Sequence, residues 1–500
     1  MRTHGFTPFL CTTILALCTG IWTSCSNTEN RGSAAASSDN GKIPITTSSD
    51  EARKEFIQGR DLSEKLLAQD SLAHFDKAIA LDPNFASAEL ARANSSPTPN
   101  EFFDHQKKAI SLADKVSEPE RLLILANQSG ANGDVTAQKA DLEKLVAACP
   151  NDERAHFALA QFYFGQQDYA PAIEHYKKAT GIAPNYSIAY NLLGYAYRQQ
   201  GDYENAEQAF KKYIELIPND PNPYDSYAEL LLKMGRFDES IVQYRRALTV
   251  DPHFVPSHFG ISADLTYLGK HSEAESELQT MASVARNDGE LRTALFGMAV
   301  VAADSGQLAK AAQQIDKEYA VAEKKNDNAN MSADLQARGI INLEAQKLDA
   351  AQKDFERSLQ LIEDSSLSQE IKDNAKLQNH FNLAAVAIAK KDFSTAQTHV
   401  DEYKQGAETS KNAPQIRLSH EIAGRLAVAQ KDWDKAIGEL EQSNLQDPRN
   451  LYRLAECYRG KGDAAKAKEY AAKAANFNSL PALPYAFIRV KAKQWAGSKA

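Results

Sequence analysis

The chain has 500 residues, of which 43% are hydrophobic, 25% charged and only 8% aromatic, values of a folded protein with few rings. Its formal net charge of −9 provides no basic face, so nucleic acid is excluded as an expected partner. Frequent alanine favours closely packed helices over a strand-rich core.

The amino-terminal segment has the organisation of an export signal. A positive charge at Arg2 precedes an apolar stretch over 6–22, about 17 residues long, which suits a secretory signal better than the roughly 20 residues of a membrane span. The sequence Trp-Thr-Ser-Cys at 22–25 resembles the lipobox of bacterial lipoproteins, with Trp22 in the place of the usual leucine. This resemblance implies cleavage before Cys25 and a diacylglycerol on its thiol. An uncleaved anchor and plain secretion are the alternatives.

Residues 25–50 are predicted to form a flexible tether. They are rich in serine, threonine, asparagine, alanine and glycine, and they offer little apolar surface from which a core could form. A random coil of this length reaches roughly 25 to 30 Å, from about 5 to 6 Å times the square root of the residue number. We therefore expect the folded body to stand just clear of a membrane surface.

A 34-residue repeat organises the body of the chain. Its period is marked by Pro150, Pro184, Pro218 and Pro252. When each proline is numbered 32 in its repeat, small residues recur at positions 8 and 20. In the regular part these are Ala160, Gly194 and Ala228 at position 8, and Ala172, Ala206 and Ala274 at position 20. We expect these positions to face each other where two helices cross, because a larger side chain would overpack the crossing at a cost of about 1 to 3 kcal/mol.

Turn and cap residues repeat with the same period. Glycine, which tolerates the positive φ that ends a helix, occurs at position 15 as Gly133, Gly201, Gly235, Gly269, Gly306 and Gly462. Three of these glycines are followed by capping aspartates, Asp134, Asp202 and Asp463. Position 24 carries large residues expected to fill the space between repeats, namely Tyr176, Phe210, Tyr244 and Phe355. From about 51 to 480 the chain thus resembles the tetratricopeptide repeat family, and its whole organisation is similar to that of bacterial tetratricopeptide repeat lipoproteins.

The resemblance implies an all-α fold, a right-handed superhelical solenoid of antiparallel helix pairs with about 11–12 repeats. Beyond 288 the position-20 residues lie 37, 40, 45, 40 and 31 residues apart, which leaves room for longer helices or for loops at 326–332 and 364–373. The predicted organisation is a lipoprotein-type signal peptide at 1–24, a flexible tether at 25–50, irregular repeats at 51–118, a regular block at 119–288, longer irregular units at 289–480 and a C-terminal cap helix at 481–500.

In this family, partners bind in a concave groove lined by the first helix of each pair. The groove-facing positions of the regular block combine rings with amide and charged side chains, which suits an extended protein or peptide partner. The candidate groove residues are Phe157, Gln161, Phe164, Asn191, Tyr195, Arg198, Asp225, Glu229 and Phe259. Packing of some rings against the next repeat is the alternative. A lysine-and-asparagine clamp for a terminal carboxylate is excluded in this block, because Phe157 and Gln161 stand at its two positions.

The sequence contains none of the catalytic motifs that we considered. The HExxH metal helix, the CxxC pair and the GxSxG nucleophile turn are missing, and the 11 histidines are scattered. Cys149 and Cys457 are expected to be free, partly buried thiols. We therefore predict no cofactor, no metal and no enzymatic activity.

These features favour a protein-interaction adaptor at the bacterial cell envelope, exported and lipid-anchored facing the periplasm, with the choice between inner and outer membrane left open. A sensor or regulatory array that partners a separate kinase or regulator is the alternative, because 51–288 also resembles repeats attached to such proteins. An enzyme with a hidden site in 289–480 is the third hypothesis.

Overall fold

The computed structural model describes residues 41–65, 67–96, 99–365, 367, 369–410, 412–480 and 482–497. The predicted signal peptide, Cys25 and positions 25–40 of the predicted tether lie outside the described residues. The described residues form 25 α-helices and one short 3-10 helix, with no β-strand among them, so the predicted all-α fold is confirmed. No helix in this part of the chain has both the length and the apolar character that crossing a membrane requires.

The chain divides into two compact units, Met1–Leu230 and Leu231–Ala500. The helices of the first unit are α1 (Asp50–Ser63), α2 (Ala68–Leu81), α3 (Ala86–Asn94), α4 (Pro99–Leu112), α5 (Glu118–Ala131), α6 (Val135–Ala148), α7 (Glu153–Gly165), α8 (Tyr169–Ile182), α9 (Ser187–Gln200) and α10 (Tyr203–Leu216). The boundary between the units falls inside α11 (Asn222–Lys233). From α1 to α10 each odd-numbered helix packs against the even-numbered helix that follows it, and we call the odd-numbered members first helices.

The second unit continues the same alternation. Its helices are α12 (Phe237–Val250), α13 (Val255–Tyr267), α14 (His271–Ser283), α15 (Asp288–Asp304), α16 (Leu308–Glu323), α17 (Asn328–Glu344), α18 (Leu348–Glu363), α19 (Gln369–Lys390), α20 (Phe393–Ser410), α21 (Ala413–Gln430), α22 (Trp433–Leu440), α23 (Pro448–Gly460), α24 (Ala464–Ala475) and α25 (Leu483–Gly497). The last helix packs on α23 and α24, as the predicted cap at 481–500 would. It also contacts α15 and α17, which a cap on the last pair would not reach.

Small residues at positions 8 and 20 allow the two helices of a pair to approach closely. Ala172 and Ala206 at position 20 are completely buried, as is Ala160 at position 8. At Gly194 a Cβ atom would lie 2.8 Å from the ring of Phe210, the position-24 residue of the same pair. Position 24 was expected to fill the space between repeats. In this pair it fills the space that the small position-8 residue leaves, because the missing side chain opens a slot for the ring.

The turns between paired helices adopt the predicted left-handed conformation. All six predicted turn glycines have φ between 70° and 83°. Asp134, Asp202 and Asp463 cap the following helices, each accepting a hydrogen bond from a backbone N–H three residues later. Four repeats without the glycine keep the same positive φ, at Gln167, Gln346, Lys391 and Lys431. The turn geometry is therefore imposed by the packing of the two helices and not by glycine alone.

The longer spacing beyond 288 is taken up mainly by longer helices. Helices α15 to α20 have 16 to 22 residues, whereas α7 to α14 have 12 to 14. Of the two possibilities at 326–332, a longer helix and a loop, the structure shows the helix for most of the length, because α17 begins at Asn328 with Asp327 as its cap. The loop predicted at 364–373 is shorter than expected, since α19 already begins at Gln369.

The predicted tether is wrong at its carboxyl end, because residues 41–49 are held on the first unit. The backbone N–H of Ile43 donates to Asp152 over 2.8 Å, that of Thr46 to Glu120 over 2.9 Å, and that of Ser48 to Asp82 over 2.8 Å. Ile43 also packs against an apolar cluster of this unit. Carboxylates near the starts of α3, α5 and α7 thus supply the acceptors that an extended segment needs. We call residues 41–49 the strap.

Replacing Gln346 by glycine should stabilise the protein. A non-glycine residue in the left-handed region carries a penalty of about 1 to 2 kcal/mol, part of which is offset by the greater chain entropy that glycine loses on folding. We expect a net gain of about 0.5 to 1 kcal/mol in the free energy of unfolding, measured by urea unfolding of the full chain. Gly201→Ala is the reverse control, because a Cβ there meets no atom within 4 Å and should destabilise through φ alone. A lower urea midpoint for Gln346→Gly would contradict the explanation.

Enlarging Ala206 should separate α9 from α10. Ala206→Leu adds volume to a completely buried position, and overpacking of this kind costs about 1 to 3 kcal/mol. The matched control is Gln208→Leu, which introduces the same side chain at an exposed position of α10. We expect thermal unfolding of the Ala206 variant at a clearly lower temperature and that of the control near the wild-type value. Equal melting temperatures for all three proteins would show that the repeat register is assigned incorrectly.

Candidate partner-binding surface

The first helices of the first unit are joined by polar side chains along one face. Tyr195 on α9 donates a hydrogen bond to Ser226 on α11 over 3.3 Å, and Arg198 donates to Glu229 over 2.9 Å. The guanidinium of Arg198 also lies over the Tyr195 ring, 4.6 Å from its centroid. We call the surface formed by α1, α7, α9 and α11 as far as Leu230 the first-helix face of the first unit.

Five of the nine predicted groove residues are at least partly accessible on this face. Gln161 is exposed, and Phe164, Tyr195, Arg198 and Glu229 are half-buried. The last three form the interacting group just described, so the structure brings them together. Phe164 makes an edge contact with Tyr169, the first residue of α8, at 5.6 Å between ring centroids.

The remaining four predicted residues are not open to a partner in the first unit. Phe157 is only 8% exposed and packs against Tyr176 and Tyr186, at 5.7 and 5.4 Å between ring centroids. Its ring is thus part of the core between two repeats, which was the alternative interpretation. The side chains of Asn191 and Asp225 are also buried. Phe259 belongs to the second unit, where it packs beside Gly297 of α15.

A cluster of two arginines and a glutamate at the end of α1 was not identified from the sequence. Arg154 at the start of α7 donates to Glu64 over 2.6 Å and 3.1 Å, and to Glu153 over 2.5 Å. Burial opposes its charge, yet these carboxylates raise the pKa of Arg154 above its usual range. Its guanidinium also lies 5.6 Å from the centroid of the Tyr186 ring. Arg154 stands 90 residues from Glu64, and no local pattern indicated that they would meet.

Arg60, in the same cluster, is poorly neutralised. Its Nε is buried without a hydrogen-bond partner and lies 3.9 Å from a Glu64 oxygen that also pairs with Arg154. Burial and the nearby Arg154 charge lower the pKa of Arg60, and the carboxylates of Glu64, Asp61 and Asp152 offset only part of this effect. The side chain of Arg60 is 25% exposed, so an outside group can reach the part of it beyond the buried Nε. The arrangement favours an added anion there, because Arg60 shares Glu64 with Arg154 and a second carboxylate would give it a closer partner.

Several histidines of the described residues pair with a side chain 19 residues away in the same helix hairpin. His156 and His175 have their Nδ1 atoms 3.0 Å apart, and His380 and His399 have theirs 3.1 Å apart. His258 meets Glu277 in the same way over 2.6 Å. No group of three or more metal-ligating side chains occurs in the described ranges. Both thiols, Cys149 and Cys457, are free and buried, and burial raises the pKa of each.

Comparisons with known proteins agree with the helical pairs. One family model described as tetratricopeptide repeat matches residues 151–219. A second family model with the same description matches residues 222–254 and 448–479. No curated protein matches the chain significantly. The similar solved structures include MamA, with 21% identity over 33% of this chain and 89% of that chain and a TM-score of 0.30. They also include a tetratricopeptide repeat protein from Parabacteroides merdae, with 17% identity, 52% and 97% coverage and a TM-score of 0.38. PilW, described as a type IV pilus biogenesis factor, has 20% identity, 44% and 96% coverage and a TM-score of 0.32.

Asp264 in α13 should make stability depend on pH. Burial raises its pKa to about 8, and the nearby Ser240 hydroxyl offsets only part of this effect. Because the folded-state pKa lies above the unfolded value near 3.9, the neutral form is favoured by folding, and this contribution to stability is lost as pH rises from about 4 through 8. The free energy of unfolding of Asp264→Asn, relative to that of wild type, should therefore increase as the pH rises from about 4 to 8 and stay constant above pH 8. Thermal unfolding at pH 4 to 9 measures this difference, and a difference independent of pH would contradict it.

Proposed function

Because the chain is a tetratricopeptide repeat protein, we propose that it is an adaptor of the bacterial cell envelope that binds a carboxylate-bearing segment of a partner protein on the first-helix face of its first unit. The repeats support a protein-interaction scaffold in general. The identity of the surface, the chemistry of the partner segment and the location at the envelope are the specific parts of the proposal.

The state of Arg60 is the observation that carries the choice of surface. Its buried Nε has no acceptor, and its charge adds to that of Arg154, which already uses Glu64 and Glu153. A partner carboxylate would give Arg60 a pair of its own, and a charge-assisted hydrogen bond contributes about 1.5 to 3 kcal/mol. On α7, Gln161 lies two helical turns after Arg154. Its side chain is exposed, so it can form hydrogen bonds with the backbone of a bound segment.

The envelope location rests on the amino-terminal sequence. The apolar stretch at 6–22 and the lipobox-like ending at Cys25 support export and lipid attachment. The strap adds a structural consequence, because it holds positions 41–49 against the first unit through Asp82, Glu120 and Asp152. Only residues 25–40 would then separate the lipid from the first unit.

Capture of a partner should depend on Arg60. We would place a photoreactive amino acid at Gln161, irradiate cells that make the full chain, and identify crosslinked proteins by mass spectrometry. Arg60→Gln should weaken capture about 10- to 100-fold, since it removes one charge-assisted contact. The matched control, Arg121→Gln, removes an exposed arginine of α5 whose ion pairs with Asp114 and Glu118 are long, at 3.4 Å each. Capture that is unchanged by Arg60→Gln would contradict binding at this face.

Lipid attachment has a separate test. Cells labelled with a clickable palmitate analogue should yield labelled protein from wild type and none from Cys25→Ser, and the Cys25→Ser protein should leave the membrane fraction. Fractionation of the wild-type protein with the cytosol would contradict the envelope location. It would not bear on the proposal that a partner binds at the first-helix face of the first unit.

A further inference from the structure

The C-terminal helix α25 lies on the first-helix side of the second unit. It contacts first helices from four different pairs through named side chains. Tyr485 meets Tyr267 of α13 at 5.7 Å between ring centroids, and Trp495 meets Tyr452 of α23 at 5.5 Å. Arg489 pairs with Asp304 of α15, and Lys491 pairs with Glu344 of α17 over 2.7 Å. The helix therefore runs across the face on which this class of repeat presents its first helices.

The pattern of burial shows that the first half of α25 is surrounded by the second unit. Five consecutive residues, 485–489, are buried. Because an α-helix has 3.6 residues per turn, five consecutive residues cover its whole circumference. A helix that only covers the end of the last pair would bury a single stripe and leave the opposite side in water. The first half of α25 instead occupies a groove, whereas residues 490–497 leave most of their side chains exposed.

One ion pair fixes the helix in this groove. Arg489 donates to the two carboxylate oxygens of Asp304 over 2.6 and 2.5 Å, and to the carbonyl of Thr266 over 3.3 Å. The side chains of Arg489 and Asp304 are only 5% and 1% exposed. Asp304 also has His271 within 2.8 Å, so it keeps one possible partner when the arginine leaves. This chemistry is specific, since a buried carboxylate selects a cation of matching geometry.

The contact beneath the helix leaves little empty space, about that of one water molecule. A cavity of about 10 Å³ remains between Tyr485 and Ala486 of α25 and the residues Tyr267, Val300 and Asp304 on the face. The connection from α24 is held through two of its carbonyl groups and through the ring of Phe477, whose centroid lies 3.8 Å from Lys233 Nζ and 6.0 Å from that of Tyr485. Lys233 donates to the carbonyl of Phe477 over 2.5 Å, and Tyr267 donates to that of Ser479. Contacts to backbone carbonyls can form with many sequences, whereas the ring and the arginine of α25 carry the recognition.

We propose that the first-helix face of the second unit is a docking site for a helix that presents an aromatic residue and, four positions later, an arginine, and that α25 is its resident occupant. Tyr485 and Arg489 have this spacing, which places both on one side of a helix. While α25 is bound, the site is closed to other segments. A partner helix with the same pattern gains access only by displacing α25, so the chain carries its own competitor. The proposal is independent of the partner proposed for the first unit.

The test uses the full chain with the substitution Arg489→Ala and the matched control Gln494→Ala, which shortens an exposed side chain of the same helix. Hydrogen–deuterium exchange is measured on both, and a fluorescent synthetic peptide with the sequence of residues 483–497 is titrated into each protein. In Arg489→Ala, amide exchange in α25 should accelerate about 100-fold or more while the helices α13 to α24 stay protected, because one partner of a buried ion pair is lost. The peptide should bind this variant, and should bind wild type and Gln494→Ala at least about 100-fold more weakly.

Each other outcome overturns the proposal. Faster exchange throughout α13 to α24, or failure of the variant to fold, would show that α25 is an integral part of the second unit. Unchanged exchange in α25 would show that Arg489 does not hold it. A second peptide that carries Arg489→Ala provides the specificity arm, and binding equal to that of the unaltered peptide would show that the groove does not recognise the arginine.

Discussion

The contact between a small residue of one helix and a bulky residue of the next is the constraint on which the whole array depends. Gly194 admits the ring of Phe210, Gly339 admits that of Phe355, and Gly424 admits the side chain of Leu440. Each contact fixes how closely the two helices of a pair approach, and the turn between them is then short enough to need a residue with positive φ. This explains why Gln346 adopts the left-handed conformation without being glycine, since the helix crossing leaves the chain no other path.

The same contact explains why the irregular half remains an array. Helices from α15 to α20 are longer than those of the regular block, yet Ala351 and Ala396 at position 20 are as completely buried as Ala206. Extra turns are added at the ends of helices, where they change the contacts with solvent and with the neighbouring pair but leave the crossing unaltered. The spacing between proline markers is therefore a weaker constraint than the small residues at the crossing, which explains why the period drifts without loss of the fold.

Features determined within one repeat could be predicted from the sequence, and features determined between distant repeats could not. The crossing residues, the turn glycines and the aspartate caps all depend on partners fewer than 34 residues away, so their chemistry shows in the repeat pattern. Arg154 and Glu64 are separated by 90 residues and Arg489 and Asp304 by 185, so no periodic signal connects them. The strap was missed for a related reason. Its polar composition indicated a tether, while the carboxylates that hold its backbone lie near the starts of three different helices. Ile43 and Ile45, which pack against two apolar clusters, were the local indication.

On the candidate surface, burial and charge decide which side chains of the first helices pack in the core and which remain accessible to a partner. Phe157 stood at a position that could face either a partner or the next repeat, and its ring went to the core because removing apolar surface from water contributes about 25 cal/mol per Å². Charged side chains stay at the face, and their pairing distinguishes the two units. In the second unit Arg489 has a buried carboxylate of its own in Asp304, and the face is filled by the chain itself. In the first unit Arg60 shares Glu64 with Arg154 and has no acceptor for its Nε. An arginine that shares its carboxylate with a second arginine can accept a further one, and for this reason an external partner is assigned to the first unit and an internal one to the second.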